Sequence, residues 1–287
     1  MFPTPTDSPT DSPIGARRVA PTRPLLWPLV AATVLVLAVF LAPFPLASVW
    51  PGGGYPSRTA LVDSLHTGFV HQLTADAGRL GPDLARPVGF WARFHVVKAA
   101  LAALLLLVLV PLGSRTWTAY PRAESPRRRL VVGALLGVEA PTVFVAILIL
   151  MANVQQAVAP LSSALGLLPI DRPDPVLAGT INQVRRGLRS GARSPALDLL
   201  LHDFVVYHVV MACLAPVVAS GLVVAAVLLW RARSRRSGAR RRGRGVLTLA
   251  LVAVGLSCAF FAVLTVANVS VSARPGPALL AFFEGGQ

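Results

Sequence analysis

The stretch RARSRRSGARRRGR, residues 231–244, decides how this chain is built. It carries Arg231, Arg233, Arg235, Arg236, Arg240, Arg241, Arg242 and Arg244, and it separates two apolar runs, 204–230 and 246–270. Each run exceeds the ~20 apolar residues that cross a bilayer. So dense a cluster of arginine is very costly to translocate. The turn is therefore expected on the cytoplasmic side, with a transmembrane helix on either side of it.

Outward from this anchor, further apolar runs at about 25–48, 94–113 and 130–153 bring the predicted spans to five. The composition agrees with that pattern. Of 287 residues, 54% are hydrophobic and only 14% charged, where soluble domains carry roughly 25%. The expected fold class is an all-α integral membrane protein, a five-helix transmembrane bundle. A net charge of +15 raises nucleic-acid binding as a possibility. The basic residues flank apolar spans and no recognition fold accompanies them, so nucleic acid is excluded as a partner.

Placing the amino terminus inside puts sixteen of the 27 basic residues in inner segments, among them Arg17, Arg18, Arg23, Arg127, Arg128 and Arg129. Ten fall in outer segments, and Lys98 lies within a span. Asp7, Asp11 and Glu124 are the inner acids, against eight outside. The carboxyl terminus is then extracytoplasmic. Residues 1–24, rich in Pro, Ser and Thr, are expected to be a disordered cytoplasmic tail. Arg17-Arg18 is not followed by a twin-arginine pattern. The apolar stretch from Leu25 is too long for a signal peptide, which predicts an uncleaved first span.

The predicted outer loops, 49–93 and 154–203, each contain a helical stripe. Leu61, Leu65, Phe69 and Leu73 recur at every fourth residue in the first. Leu177, Ile181, Val184 and Leu188 form a shorter stripe in the second. These read as amphipathic helices lying on the membrane or capping the bundle. Residues 271–287 are expected to be an outer tail. Cys213 and Cys258 fall in spans and form no disulfide framework.

An internal repeat is also visible. Phe94-His95-Val96-Val97 matches Tyr207-His208-Val209-Val210 at a separation of 113, and Ala152-Asn153-Val154 matches Ala267-Asn268-Val269 at 115. Both polar landmarks sit at outer helix ends. A duplicated helical hairpin follows, 94–153 against 207–268, expected about a pseudo-twofold axis along the membrane normal. Gly133 and Gly137, a GxxxG, and Ala215 and Ala219 are candidate helix-packing positions.

The residues with chemical potential are few. His95 and His208, at equal depth in the repeat, are positioned to ligate haem or a divalent metal, or to hydrogen-bond a quinone. Asp198 and His202, at i and i+4, share a helix face and are candidates to complete a metal shell. The plainer alternative is that each imidazole is satisfied by a loop carbonyl, by Asn153 or by Asn268. Glu139 is an intramembrane carboxyl, and Lys98 lies roughly 10 Å from it in depth by helical rise, more suited to snorkelling than to pairing.

The strings Phe90-Trp91-Ala92-Arg93-Phe94-His95-Val96-Val97-Lys98 and Tyr207-His208-Val209-Val210 resemble those of uncharacterised multi-pass membrane proteins of high-GC actinobacteria. That resemblance implies a bacterial cytoplasmic membrane and carries over no active residue. No catalytic motif is present. Three functions compete: a structural, accessory or partner-binding bundle whose His-containing outer face docks an extracytoplasmic protein, a cofactor-binding redox protein using His95 and His208, and a small transporter using Glu139. No cofactor is predicted for the first.

Overall fold

The computed structural model describes residues 23–234 and 241–285, and all of its regular structure is helical. Ten helices follow in order: α1 (Arg23–Leu41), α2 (Pro43–Val49), α3 (Arg58–Thr74), α4 (Pro82–Ala119), α5 (Pro126–Val158), α6 (Pro160–Leu165), α7 (Pro175–Ser190), α8 (Pro195–Ser234), α9 (Arg241–Ala273) and α10 (Pro275–Phe283). Proline opens seven of these, because its fixed φ suits the first helical turn and its missing N–H costs nothing there.

Four of the helices, α4, α5, α8 and α9, are long and apolar enough to cross a membrane; α1 and α2 add a fifth span if taken together. The chain is thus an all-α membrane bundle. The fifth span is bent by 65° at Ala42. Pro43 and Pro45 cannot donate to the carbonyls of Val39 and Leu41, so the helix breaks where two bonds of one turn are missing. The predicted tail 1–24 lies outside the described residues except for Arg23 and Pro24, which already belong to α1. Arg235, Arg236 and Arg240 of the arginine cluster also lie outside them.

The spans run well past their predicted ends. At 38 and 40 residues, α4 and α8 extend ~57 and ~60 Å, about twice the hydrocarbon thickness. Their surplus projects away from the arginine-rich turns and forms two pillars of a helical cap. Between and around the pillars pack α3, α6, α7 and α10, sharing one core built on Phe69, Leu84, Leu165, Ile181, Leu200 and Phe283. Both predicted stripes point into it, with Leu65, Phe69 and Leu73 buried from α3 and Leu177, Ile181 and Val184 from α7, while Leu61 packs in a neighbouring cluster with Ala47, Tyr55 and Phe90. The supposed outer tail contributes too. Residues 275–283 are helical, and Leu279 and Phe283 are wholly buried in the cap core.

Side chains of the pillars and loops close the cap's helix ends. Asp203 of α8 accepts a hydrogen bond from the Ser162 amide at the start of α6 (2.7 Å), and Asp76 accepts one from Ala196 at the start of α8 (3.1 Å). Arg185 donates to the Phe283 carbonyl, and Arg189 pairs with Glu284. Gly68 lets α3 lie on α4, since a Cβ there would stand 2.6 Å from the Asp83 carbonyl oxygen.

The duplication is wider than the sequence matches. The order α3–α4–α5–α6 recurs as α7–α8–α9–α10, with α5 and α9 both 33 residues long. Pro160 and Pro275 open α6 and α10 at the same separation of 115 that relates Asn153 to Asn268. The residues before them share a backbone conformation, Ala159 at φ −121°, ψ 70° and Arg274 at φ −136°, ψ 64°. The separation grows from 113 at the histidines to 115 at the asparagines between His208 and Asn268.

The copies are not related by the expected twofold. α4 pairs with α5 and α8 with α9, and the hairpins meet where α5 packs on α8. A twofold would require α4 on α9 in equal measure, and those two helices form no comparable interface among the described residues. The hairpins stand side by side, with α1 against the outer flank of α4.

Candidate functional site

Each hairpin carries one imidazole clasped by the asparagine of its return helix. His95 Nδ1 on α4 lies 2.7 Å from Asn153 Oδ1 on α5. His208 Nδ1 on α8 lies 2.9 Å from Asn268 Oδ1 on α9. In both copies the asparagine amide donates back to the carbonyl four residues earlier, Ile149 at 2.7 Å and Leu264 at 2.8 Å. That bond orients the amide, so Oδ1 accepts and the imidazole donates from Nδ1. The neutral ring then presents a bare lone pair at Nε2.

Aromatic neighbours are duplicated as well. Trp91 meets His95 edge-on at 4.5 Å, and Phe204 meets His208 at 4.6 Å. Phe94 and Tyr207, one residue before each histidine, complete the setting at 5.0 and 5.3 Å. The sequence matches included Phe94 and Tyr207 but left out Trp91 and Phe204, although these sit at the same 113-residue separation. The two sites differ in access. His95 is 3% exposed and its Nε2 is buried without a partner, while His208 is half-buried.

The polar network continues toward the cap. Trp91 Nε1 donates to Ser163 Oγ on α6 (2.9 Å), and the Ser163 hydroxyl donates to Gln156 Oε1 (2.9 Å). Gln155 Nε2 donates to the Tyr207 carbonyl (2.9 Å), bridging the two hairpins beside the second histidine. Asp198 and His202 stand apart from this network. Asp198 pairs with Arg193 at 3.4 Å, and His202 is exposed. Among the described residues no three metal-ligating side chains come together. The remaining histidines belong to the cap, His66 at 3.3 Å from Asp174 and His71 at 2.9 Å from Asp83.

Asp174 caps α7, accepting from the Val176 and Leu177 amides at 2.9 Å each. The Leu177 amide, aided by the Val176 amide and the nearby His66, holds its carboxyl below the usual carboxylate range.

Lys98 and Glu139 are far apart. Lys98 Nζ rests over the rings of Phe40 and Phe94, 5.7 Å from each centroid, a cation–π seat rather than an ion pair. Glu139 faces Thr116 of α4, with Oε2 2.9 Å from the Thr116 hydroxyl. Thr116 lies 18 residues beyond Lys98, ~27 Å along the helix. The sequence-based gap of roughly 10 Å is too small, because α5 is set against α4 so that Glu139 sits nearer the arginine end. Gly113 makes room for the carboxyl, since a Cβ there would come within 3.0 Å of Oε1.

The packing motifs divide. Ala215 is fully buried against Met151, Met211 and Phe261, and the Ala219 carbonyl lies 4.0 Å from Cys258 Sγ. A Cβ on Gly133 would stand 3.3 Å from Tyr120 Cε2, but one on Gly137 would meet nothing within 4 Å, so the two glycines do not act together as a contact pair within the chain. Cys213 and Cys258 are both free thiols.

The fold and this site define a polytopic all-α membrane protein with a duplicated, histidine-clasped hairpin under a helical cap. Comparisons with protein-family models, with curated proteins and with solved structures find no match.

Proposed function

We propose that the chain is a non-catalytic protein of a bacterial cytoplasmic membrane whose helical cap is an extracytoplasmic face for a protein partner. This reading puts the amino terminus and both arginine-rich turns in the cytoplasm, and the excess of Lys and Arg in those segments supports it. One observation carries the functional choice. The apolar stripes of three separate outer segments are buried against one another in a common core, which leaves the cap a structured surface rather than a set of helices steeped in lipid. Val176, 60% exposed at the start of α7, gives that surface an apolar contact point.

The histidines fit the same reading as clasps within each hairpin. A cofactor reading has one observation in its favour, the buried Nε2 of His95 with no partner. An asparagine that fixes Nδ1–H and frees Nε2 is also how a metal- or haem-binding imidazole is oriented. The test joins both. Substituting His95→Ala and His208→Ala together is expected to leave metal content and visible absorption unchanged, while a photo-crosslinker replacing Val176 yields a discrete protein adduct in cells. A bound metal or an absorption band lost on those substitutions would displace the partner-binding reading in favour of the cofactor.

A further inference from the structure

Glu139 poses a hydrogen-bond problem with one economical solution. The Thr116 hydroxyl lies 2.9 Å from Glu139 Oε2, 3.0 Å from the Gly113 carbonyl and 3.2 Å from the Leu112 carbonyl. It has one proton for three acceptors. Glu139 Oε1 is buried and has no partner, and the residue is 7% exposed.

If Glu139 were a carboxylate, its charge would rest on a single neutral hydroxyl, with one oxygen facing Gly113 unsatisfied. Among the described residues no cation stands within ion-pair distance of it. On α4 the nearest basic residue in sequence to its partner is Arg115, which is exposed. On α5 itself Arg127, Arg128 and Arg129 lie ten or more residues away at the helix start. α1, which packs on α4, has no charged residue over 26–41. A buried charge with so little compensation is among the costliest arrangements a protein can hold.

We infer that Glu139 is a proton-binding site: at neutral pH its carboxyl carries a proton on Oε2 and donates it to Thr116 Oγ1, clasping α5 to α4. Thr116 then shares its own proton between the Gly113 and Leu112 carbonyls, so each of the short contacts has a donor. Oε1 is left as a neutral carbonyl oxygen, for which the absence of a donor costs far less than for a carboxylate. Loss of the proton would set a charge against Gly113 with nothing to receive it and would loosen the hairpin at its arginine end. The second copy holds no equivalent acid, so the device belongs to the first hairpin alone.

The test is isotope-edited infrared spectroscopy of the full chain in lipid, with labelled glutamate, at neutral pH. A protonated-carboxyl C=O band is expected that Glu139→Gln removes and Thr116→Val shifts to the frequency of an unbonded carboxyl. A second measurement, the spin-label distance between α4 and α5 near residues 116 and 139, is expected to lengthen on alkalinisation in the wild type. It should stay constant in Glu139→Gln, whose amide is neutral at every pH. A carboxylate band lost in Glu139→Gln, with no protonated band, would overturn the proposal, as would a pH-dependent distance that persists in that variant.

Discussion

His95 Nδ1 donates to Asn153 Oδ1 across 2.7 Å, and the pair joins the two helices of the first hairpin at a point where both residues are buried. The second hairpin repeats the arrangement with His208 and Asn268, but His208 is only half-buried. The same chemistry thus stands in two environments, and the energetic consequences should differ.

Asn153→Leu would leave the His95 N–H without an acceptor in a closed site, at a cost of about 1–3 kcal/mol. Asn268→Leu should cost less, because the half-exposed ring can find another partner. Unfolding of the two variants in detergent measures the difference. Equal losses would contradict the asymmetry of burial.

Phe283 is wholly buried beside Phe69, with ring centroids 6.3 Å apart. Phe283→Ala should destabilise the cap by about 3–5 kcal/mol. Hydrogen exchange is expected to quicken in α3 and α7 while the spans keep their protection. Unchanged exchange in the cap would mean that residues 275–283 are a loose appendage after all.

Two glycines make a contrasting pair. Gly68→Ala drives a methyl group against the Asp83 backbone and should cost about 1–3 kcal/mol. Gly137→Ala meets nothing and gains up to about 1 kcal/mol of helix propensity. Melting temperatures should move in opposite directions. A large loss at Gly137 would restore GxxxG as a contact motif.

Asp174 links the cap to pH. Its folded-state carboxyl is held below the ordinary value, so its stabilising contribution is complete above the unfolded pKa and disappears as pH falls through the lower folded value. Protection of the Val176 and Leu177 amides, taken relative to their intrinsic exchange rates at each pH, should therefore fall on acidification below about pH 4. Asp174→Ala should show the lowered protection already at neutral pH. A variant that exchanges like the wild type at neutral pH would remove Asp174 as the cap of α7.

The spans were legible because lipid solvates apolar side chains over a fixed thickness, so a run such as 246–270 declares itself. Their ends were not, because helix 195–234 continues past that thickness on cap contacts made with residues over a hundred positions away. The stripes of α3 and α7 were readable as period, but their shared core was not, since a stripe does not name what covers it. Position within the repeat placed His95 and His208 at equal depth, but it left Asn153 and Asn268 as partners no better marked than a loop carbonyl. Thr116 escaped notice because a threonine in an apolar run carries no signal until its neighbour across the hairpin is known. The helix at 275–283 was hidden for a related reason: nine residues are too few for period to distinguish a docked helix from a tail.

The account depends most on which side of the membrane the cap occupies. Its most direct test is labelling of intact cells with a membrane-impermeant thiol reagent, in a chain whose Cys213 and Cys258 are replaced by Ala. Thr74→Cys, exposed at the end of α3, should react, and Ser234→Cys, beside the arginine-rich turn, should react only after the cells are opened. Labelling of Ser234→Cys from outside with Thr74→Cys protected would contradict the account.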